Sequence, residues 1–200
     1  MKCLSGLALL FLFVSPVLAA VKGSTVRLEI TLASDTQPEK FAESQLRRLL
    51  AKYNLDALVF TKKIRIASHV IPHSHPVLTL NTRHIDDDEQ QLATFIHEQM
   101  HWYLSRHEKG TAAAIADLRK VYPIVPEKGP RGARNEHSTY LHLIINLLEF
   151  DGLANYLGRD RARAVIGRRD YYIWIYDTVL RDETNIRAVM TGHGLVLPSR

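Results

Sequence analysis

A chain of 200 residues, 46% of them hydrophobic, has room for the core of a single domain. Its formal net charge of +5 is a mild basic excess, which we interpret as a contribution to solubility; an attraction to anionic surroundings such as a cell envelope is the alternative. The one cysteine, Cys3, stands near the start of the chain, so the remainder excludes disulfides and thiolate metal ligands. Any metal must therefore be held by His, Asp or Glu.

Residues 1–20 have the pattern of a secretory signal. A positive start precedes an apolar core at 7–14, and small residues allow cleavage after Ala19 or Ala20. The apolar run is shorter than the about 20 residues that span a bilayer, although a signal kept as an anchor is the alternative. We expect an exported protein, periplasmic or secreted, without stable membrane insertion after cleavage. Its mature part would be one domain over residues 21–200.

The first part of this domain is predicted to be a small β-sheet with one helix. Alternating apolar and polar residues predict a half-buried strand at 26–32. Pro38, followed by apolar residues at helical spacing, predicts a helix that ends near Asn54. Further strands are predicted at 57–60, 64–68 and 77–81.

The proline-containing connection 69–76 carries three histidines, His69, His73 and His75. They are a candidate secondary metal site. However, they have neither helical spacing nor a nearby carboxylate, and we interpret them as solvated loop residues.

The stretch 93–104 carries the most specific chemical pattern. On an α-helix, His97 and His101 lie one turn apart on one face, close enough for both imidazoles to bind one metal ion. Glu98 stands beside that face, where its carboxylate can reach a metal-bound water without becoming a ligand. Acidic residues at 86–89 favour the helix start and supply its N-cap.

These residues resemble the active helix of the zincin metallopeptidases, in which two His bind zinc and the Glu between them is the general base. The resemblance implies that His97 and His101 hold one Zn²⁺ and that Glu98 takes a proton from the water bound to it. It also implies that the strand at 77–81 is the edge against which an extended peptide lies. The resemblance is confined to this helix and, more weakly, to the segment 136–149.

A catalytic zinc usually has three protein ligands and one open position, so a third ligand must be found. His107 has the spacing of the longer metzincin motif, but Leu104 replaces the glycine which that motif requires. On a continuing helix, His107 would lie about 9 Å along the axis from His101. We therefore do not favour it.

The better candidates are His142, Asn146 and Glu149, which share one helical face in an otherwise apolar run. Only one of His142 and Glu149 can bind the metal, because two turns separate them by about 10 Å. In gluzincins, which this chain resembles in having a distant third ligand on a second helix, that ligand is usually Glu. Asn146, one turn after His142, would suit a second-shell partner of that imidazole. We predict His142 as the ligand, with Asn146 in the second shell and Glu149 as the alternative ligand.

The rest of the chain is predicted to be mostly helical, which gives an α+β, zincin-like fold with the active helix between the sheet and a helical C-terminal half. We interpret the arginines of 159–169 as a solvated helix face and expect no nucleic-acid partner. Helices are predicted at 111–121, 135–157, 161–166 and 171–180, with a loop at 123–134.

The expected function is that of an exported zinc-dependent peptidase acting on a peptide or protein substrate. Glu98 would be the catalytic base, and Tyr140, Tyr172 and His193 are unranked candidates to stabilise the oxyanion. The alternatives are an inactive exported protein with the same fold that binds a metal or a protein partner, and a domain in which the histidine pair is buried without metal.

Overall fold

A computed structural model of the protein describes residues 23–198. Within this range the fold is α+β and mostly helical, as predicted, with a small parallel sheet at its N-terminal end. The predicted signal at 1–20 lies outside the described residues. The elements, in chain order, are β1 (Glu29–Leu32), α1 (Gln37–Lys52), a 3₁₀ turn (Asp56–Leu58), β2 (Lys63–Ile66), β3 (Leu78–Leu80), α2 (Asp88–Ser105), α3 (Glu108–Val121), α4 (Glu136–Leu157), α5 (Arg159–Ile166), α6 (Ile173–Arg181) and α7 (Glu183–Gly192).

The three strands pair in the order β1-β2-β3, all parallel. Ile64 of β2 is the partner of Ile30 on one side and of Leu78 on the other. Alternate residues of β2 are buried, whereas all of β3 is buried, because α2 packs beside β3. The sheet therefore brings its third strand next to the helix that carries His97.

The prediction of a strand at 57–60 was wrong, because this segment begins with the 3₁₀ turn. The carboxylate of Asp56 accepts hydrogen bonds from the backbone N–H groups of Thr25 and Val26. Further on, the backbone N–H groups of Phe60 and Thr61 donate to Oε1 of Gln99 on α2. The N–H groups of Phe60 and Thr61 are thus satisfied by the Gln99 side chain, and they need no neighbouring strand.

Helices α2 and α4 form the centre of the helical part and pack closely against each other. The central part of α2, from Gln90 to Met100, is continuously buried. Gly152 of α4 lies over Ile96 of α2, and a Cβ atom at Gly152 would be only 3.0 Å from Cγ2 of Ile96. The absence of a side chain there lets the two helices approach closely.

The C-terminal end contains a helix, α7, that the sequence pattern did not predict. Its composition includes β-branched residues and a terminal glycine, which are weak helix formers. Ile186 and Met190, one turn apart, are buried, and α7 contacts α3 and α4. Packing of this narrow apolar stripe therefore stabilises a helix that propensity alone does not predict. No helix within residues 23–198 is long and apolar enough to span a bilayer.

Candidate metal site

The helix that carries the histidine pair has a defined start. The side chain of Asp87 caps α2 by accepting a hydrogen bond of 3.1 Å from the backbone N–H of Gln90. From this cap α2 continues to Ser105, so the predicted helix and its N-cap are confirmed. His97 and His101 are therefore one turn apart in the structure.

His142 of α4 completes a compact group with His97 and His101. One ring nitrogen of each residue lies within 4.8 Å of one ring nitrogen of the other two. The centroid distances are nearly equal, at 5.3 Å for His97 and His101, 5.5 Å for His97 and His142, and 5.2 Å for His101 and His142. These three residues lie close enough to hold one metal ion.

Hydrogen bonds orient two of the three rings. Nδ1 of His97 lies 2.9 Å from Oε2 of Glu149, and Nδ1 of His142 lies 2.6 Å from the backbone oxygen of Ser138. Because both partners are acceptors, each Nδ1 donates a proton, which leaves Nε2 as the nitrogen that can face a metal ion. Such a second hydrogen bond is the usual way in which a metal-binding imidazole is held.

Glu149, the alternative third ligand, lies behind His97 as a partner of that ring. Its carboxylate is fully buried and accepts from three groups: Nδ1 of His97, the hydroxyl of Tyr176 at 2.8 Å, and the guanidinium of Arg169 at 3.5 Å. Burial alone would raise the pKa of Glu149, but the hydrogen bond and charge of His97, with Arg169 and Tyr176, lower it. Glu149 is thus an ionised carboxylate that holds His97 in place.

Asn146 is not joined to His142 in the way that its spacing suggested. Its side chain is fully buried, and neither Oδ1 nor Nδ2 has a hydrogen-bond partner among the described residues. Side chains on a helix lean towards its N-terminus, so His142 meets the turn before it, where Ser138 lies, and not the turn after it. The hydrogen-bond partner of the His142 ring therefore lies at position i−4 and not at i+4.

The electrostatics of the histidines suit a metal site. Burial and the neighbouring His97 lower the pKa of His101 to about 2 and that of His142 to about 3, so both rings are neutral at ordinary pH. Burial also acts to lower the pKa of His97, but the hydrogen bond and charge of Glu149 raise it above its usual value. Three imidazoles form the donor set of some catalytic zinc sites. Ligand nitrogens on a tetrahedral zinc are about 3.4 Å apart, so small side-chain movements would bring these rings to a zinc ion.

Glu98 lies beside the group and lacks a protein partner for one of its oxygens. The residue is 6% exposed, and its Oε2 is buried with no hydrogen-bond partner among the described residues. Burial raises its pKa to about 7. Together with His97 it lines a cavity of about 410 Å³. Glu98 is therefore a buried carboxylate that can exchange a proton near neutral pH.

A second cavity, of about 350 Å³, adjoins the other side of the group and is lined by His101 and His75. The segment 71–75 contributes residues to both cavities. Its first residue, Ile71, lines the cavity that contains Glu98. At its other end the ring of His75 stacks on Trp102 of α2, with 4.3 Å between centroids. The segment thus borders one cavity beside His97 and another beside His101, and the two cavities together are called the cleft below.

The strand at 77–81 was expected to be the edge against which a peptide lies, but the segment 71–75 lies along that edge. The backbone N–H and oxygen of Thr79 in β3 are both hydrogen-bonded to His73, at 2.7 and 3.1 Å. The outer edge of β3 is therefore covered at Thr79. The chain beside the cleft is the segment 71–75, which the sequence suggested only as a loop.

The other sequence candidates lie elsewhere. His107 is at the turn after α2, where its Nδ1 donates to the backbone oxygen of Tyr103. Within residues 23–198 His97, His101 and His142 are the one metal-competent group of three, so the loop histidines do not form a second. Of the oxyanion candidates, Tyr140 donates to a backbone oxygen in the core and His193 pairs with an aspartate of α3. Tyr172 lines the cavity, with its ring 4.4 Å from that of His142.

Arg169 is a residue of this site that the sequence did not reveal. It was grouped with the solvated arginines of 159–169, but its side chain is only 3% exposed and contacts Glu149 and Thr94. The prediction is correct for exposed neighbours such as Arg161, which pairs with Glu89. Nothing in the local pattern separates one buried arginine from four exposed ones, because the difference depends on the distant carboxylate of α4.

The comparisons with known proteins found no relative: the chain matches no family model, no curated protein and no solved structure. The fold and the site together define an α+β protein with three histidines able to hold a metal ion. Its function must therefore be inferred from the chemistry of this site.

Proposed function

We propose that the protein is an exported zinc-dependent peptidase with a zincin-like fold, in which His97, His101 and His142 hold one Zn²⁺. The single observation that carries the proposal is that three imidazoles from two packed helices converge beside Glu98 at a cleft. Glu149 and Ser138 hold two of the rings, so the group is organised for binding and is not merely buried.

A zinc ion held there would supply a Lewis acid, which polarises a peptide carbonyl and lowers the pKa of a water to about 7. Glu98 is the residue that takes a proton from the attacking water. Its buried Oε2 has no hydrogen-bond partner among the described residues, so this oxygen is available to accept the proton. The protonated Glu98 then passes the proton to the leaving amine, which completes the cleavage of the peptide bond.

Tyr172 is the candidate to donate a hydrogen bond to the developing oxyanion. Its ring packs against His142, and burial raises its pKa to about 12, so the hydroxyl stays protonated at neutral pH. Its backbone is left-handed, with a φ of 55°, which is a strained conformation for a tyrosine. The strain is consistent with a residue held in place for a function.

The cleft supports a peptide as the substrate. The segment 71–75 passes alongside the metal site between two cavities, an arrangement that suits an extended chain lying across the site. Its position is secured by a hydrogen bond of 2.8 Å from Nε1 of Trp102 to the backbone oxygen of Ser74. The substrate would then lie between this segment and α2.

The test compares the wild type with Glu98→Gln, using metal analysis and a broad mixture of peptides. We expect about one zinc per chain in both proteins and hydrolysis at least about 100-fold slower in the variant, because only the proton acceptor is lost. Glu29→Gln on the exposed face of β1 is the matched control and should behave as the wild type.

Two results would overturn the proposal. A wild-type protein that holds zinc but cleaves no peptide would favour the metal-binding or partner-binding alternative. A wild-type protein that takes up no zinc would favour the metal-free domain. Full turnover in Glu98→Gln would remove Glu98 from the mechanism.

A further inference from the structure

The cavity that contains Glu98 adjoins, away from the histidines, a smaller one of about 280 Å³. The two cavities are adjacent, because they share four lining residues. These are Arg83, His84, Asp170 and Tyr171. A group bound in the smaller cavity would therefore lie beside the cavity that contains Glu98.

Arg83 offers an unused positive charge on the shared wall. Its side chain is exposed and makes no ion pair within residues 23–198. The backbone at this position is held, since the N–H of Arg83 donates to Oδ1 of Asn81 at 3.1 Å. Asn81 in turn donates to the backbone oxygen of Val70, next to the segment 71–75. The guanidinium is thus attached to an ordered part of the cleft and is free to bind a ligand.

Arg169 contributes a second donor in the smaller cavity. Its terminal nitrogens contact Glu149 and Thr94, but its Nε is buried and has no acceptor among the described residues. A buried N–H without an acceptor is costly, and a ligand oxygen would remove this cost. Arg169 lines the same cavity as Arg83, so a small movement of its side chain would bring this covered donor to a ligand oxygen.

Two acidic residues also line the smaller cavity, and one of them, Asp170, lines the larger cavity as well. Asp87 is occupied, because it caps Gln90 and forms an ion pair of 2.9 Å with Arg168. Asp170 is exposed at the rim. The pKa of the half-buried His84 reflects the charges around it. Burial, Arg169 and Arg83 lower this pKa, and Asp87 opposes them with a smaller effect. Arg169 and Arg83 thus act on this imidazole more strongly than Asp87 does.

We propose that this end of the cleft is a subsite for a carboxylate of the substrate, bound by Arg83 and by Nε of Arg169. The fork of an arginine matches a carboxylate in geometry as well as in charge. The carboxylate can belong to an Asp or Glu side chain or to the C-terminus of the peptide. This inference rests on the proposed peptidase function and defines its substrate class.

The first experiment measures cleavage by the zinc-loaded protein of matched peptides that differ only in Glu, Gln or Lys at each position flanking the cleaved bond. Each peptide is used with a free and with an amidated C-terminus. We expect the anionic peptide to be preferred. A preference for Glu that survives amidation identifies the side chain, and one that is lost on amidation identifies the terminus.

Arg83→Ala should lower kcat/KM for the preferred anionic peptide about tenfold, mainly through KM, and leave the uncharged peptide within about twofold. Arg83→Glu should shift the preference to the Lys peptide. Arg65→Ala, which removes an exposed and unpaired arginine of β2 that lines neither cavity, is the matched control. An unchanged preference in Arg83→Ala and Arg83→Glu would exclude the subsite while leaving the peptidase proposal intact.

A binding measurement separates failure of the subsite from failure of the peptidase function. N-acetylglutamate amide, which has only a side-chain carboxylate, N-acetylglutamine, which has only a terminal carboxylate, and N-acetylglutamine amide, which has neither, are titrated into the zinc-loaded protein, and the ring resonance of His84 is followed by NMR. We expect a saturable shift with at least one of the two carboxylates, none with N-acetylglutamine amide, and loss of the shift in Arg83→Ala. If this shift occurs in a protein that cleaves no peptide, the subsite stands and the peptidase function fails. If no shift occurs in an active enzyme, the subsite fails.

Discussion

Two groups of three histidines lie close together along the cleft, and they differ in almost every physical respect. His97, His101 and His142 are carried by two packed helices, with one nitrogen from each within 4.8 Å of the others. Of the loop histidines His69, His73 and His75, the last two each have their own local partners. Nδ1 of His73 donates to the backbone oxygen of Ile71, and the ring of His75 stacks on Trp102.

The difference shows that the number of histidines in a segment says little about metal binding. A metal site needs donors whose directions are already held together, and helix packing supplies this constraint more strictly than a loop does. In the buried group, Glu149 and Ser138 hold two rings from outside the group. In the loop, His73 is hydrogen-bonded and His75 is stacked, each with a different partner.

The largest effect should come from His142→Ala. Removing one of three ligands should lower zinc affinity by more than about 100-fold, because a change in a second-shell partner alone costs about 10 to 100-fold. His73→Ala is the matched control from the loop group and should retain wild-type affinity. Competition with a chelator measures both. Equal affinities in the two variants would abolish the distinction between the groups.

Glu149→Gln should have the next largest effect and separates its two possible roles. If Glu149 is only the partner of Nδ1 of His97, Glu149→Gln should lower zinc affinity about 10 to 100-fold. The amide oxygen accepts the same hydrogen bond but lacks the charge. If Glu149 is instead a direct ligand, Glu149→Gln should lower zinc affinity as much as His142→Ala does. The measurement is the same chelator competition, with circular dichroism to verify that the buried substitution leaves the fold intact.

A smaller effect is expected at the cap that starts the helix of the buried group. Asp87→Ala should reduce stability by about 1 kcal/mol at neutral pH, as N-cap losses usually do. Burial raises the pKa of Asp87, but Gln90 and Arg168 lower it below its usual value of 3.8. Its charge therefore stabilises the fold above about pH 4, and this contribution is lost as the pH falls through the lowered pKa.

Asp87→Asn isolates the charge, because asparagine caps a helix but does not titrate. Urea unfolding between pH 7 and pH 3 should show the wild type losing its advantage over Asp87→Asn at the acidic end. A constant difference across this range would mean that the carboxylate contributes nothing through its charge.

The smallest effect should come from changing two of the three loop histidines together. His69→Asn combined with His73→Gln should leave the zinc content at about one per chain and its affinity within about twofold, because neither residue belongs to the buried group. Asparagine suits position 69, where φ is 59° and an ordinary side chain would be strained. A loss of zinc in this variant would show that the loop takes part in metal binding.

Much of the fold was predictable where the cause is local. The acidic start of α2, its apolar length and its end at Ser105 follow from capping and composition. The limits of α4 were predicted almost as well. The strand predicted at 57–60 and the unpredicted α7 are the failures. In both cases distant packing, through Gln99 or through Ile186 and Met190, determined the local structure.

The amino-acid sequence by itself determined that His97, Glu98 and His101 would stand together, because the turn of a helix fixes residues that are one and four positions apart. It also narrowed the third donor to one face of α4. The sequence also favoured His142 over Glu149 as that donor, and the structure brings His142 into the group. Only the tertiary structure put Glu149 behind His97, because that placement depends on how α2 and α4 pack and on which way their side chains lean. The burial of Arg169 and the wall of the cleft at 71–75 were decided in the same way, by contacts between segments far apart in the chain.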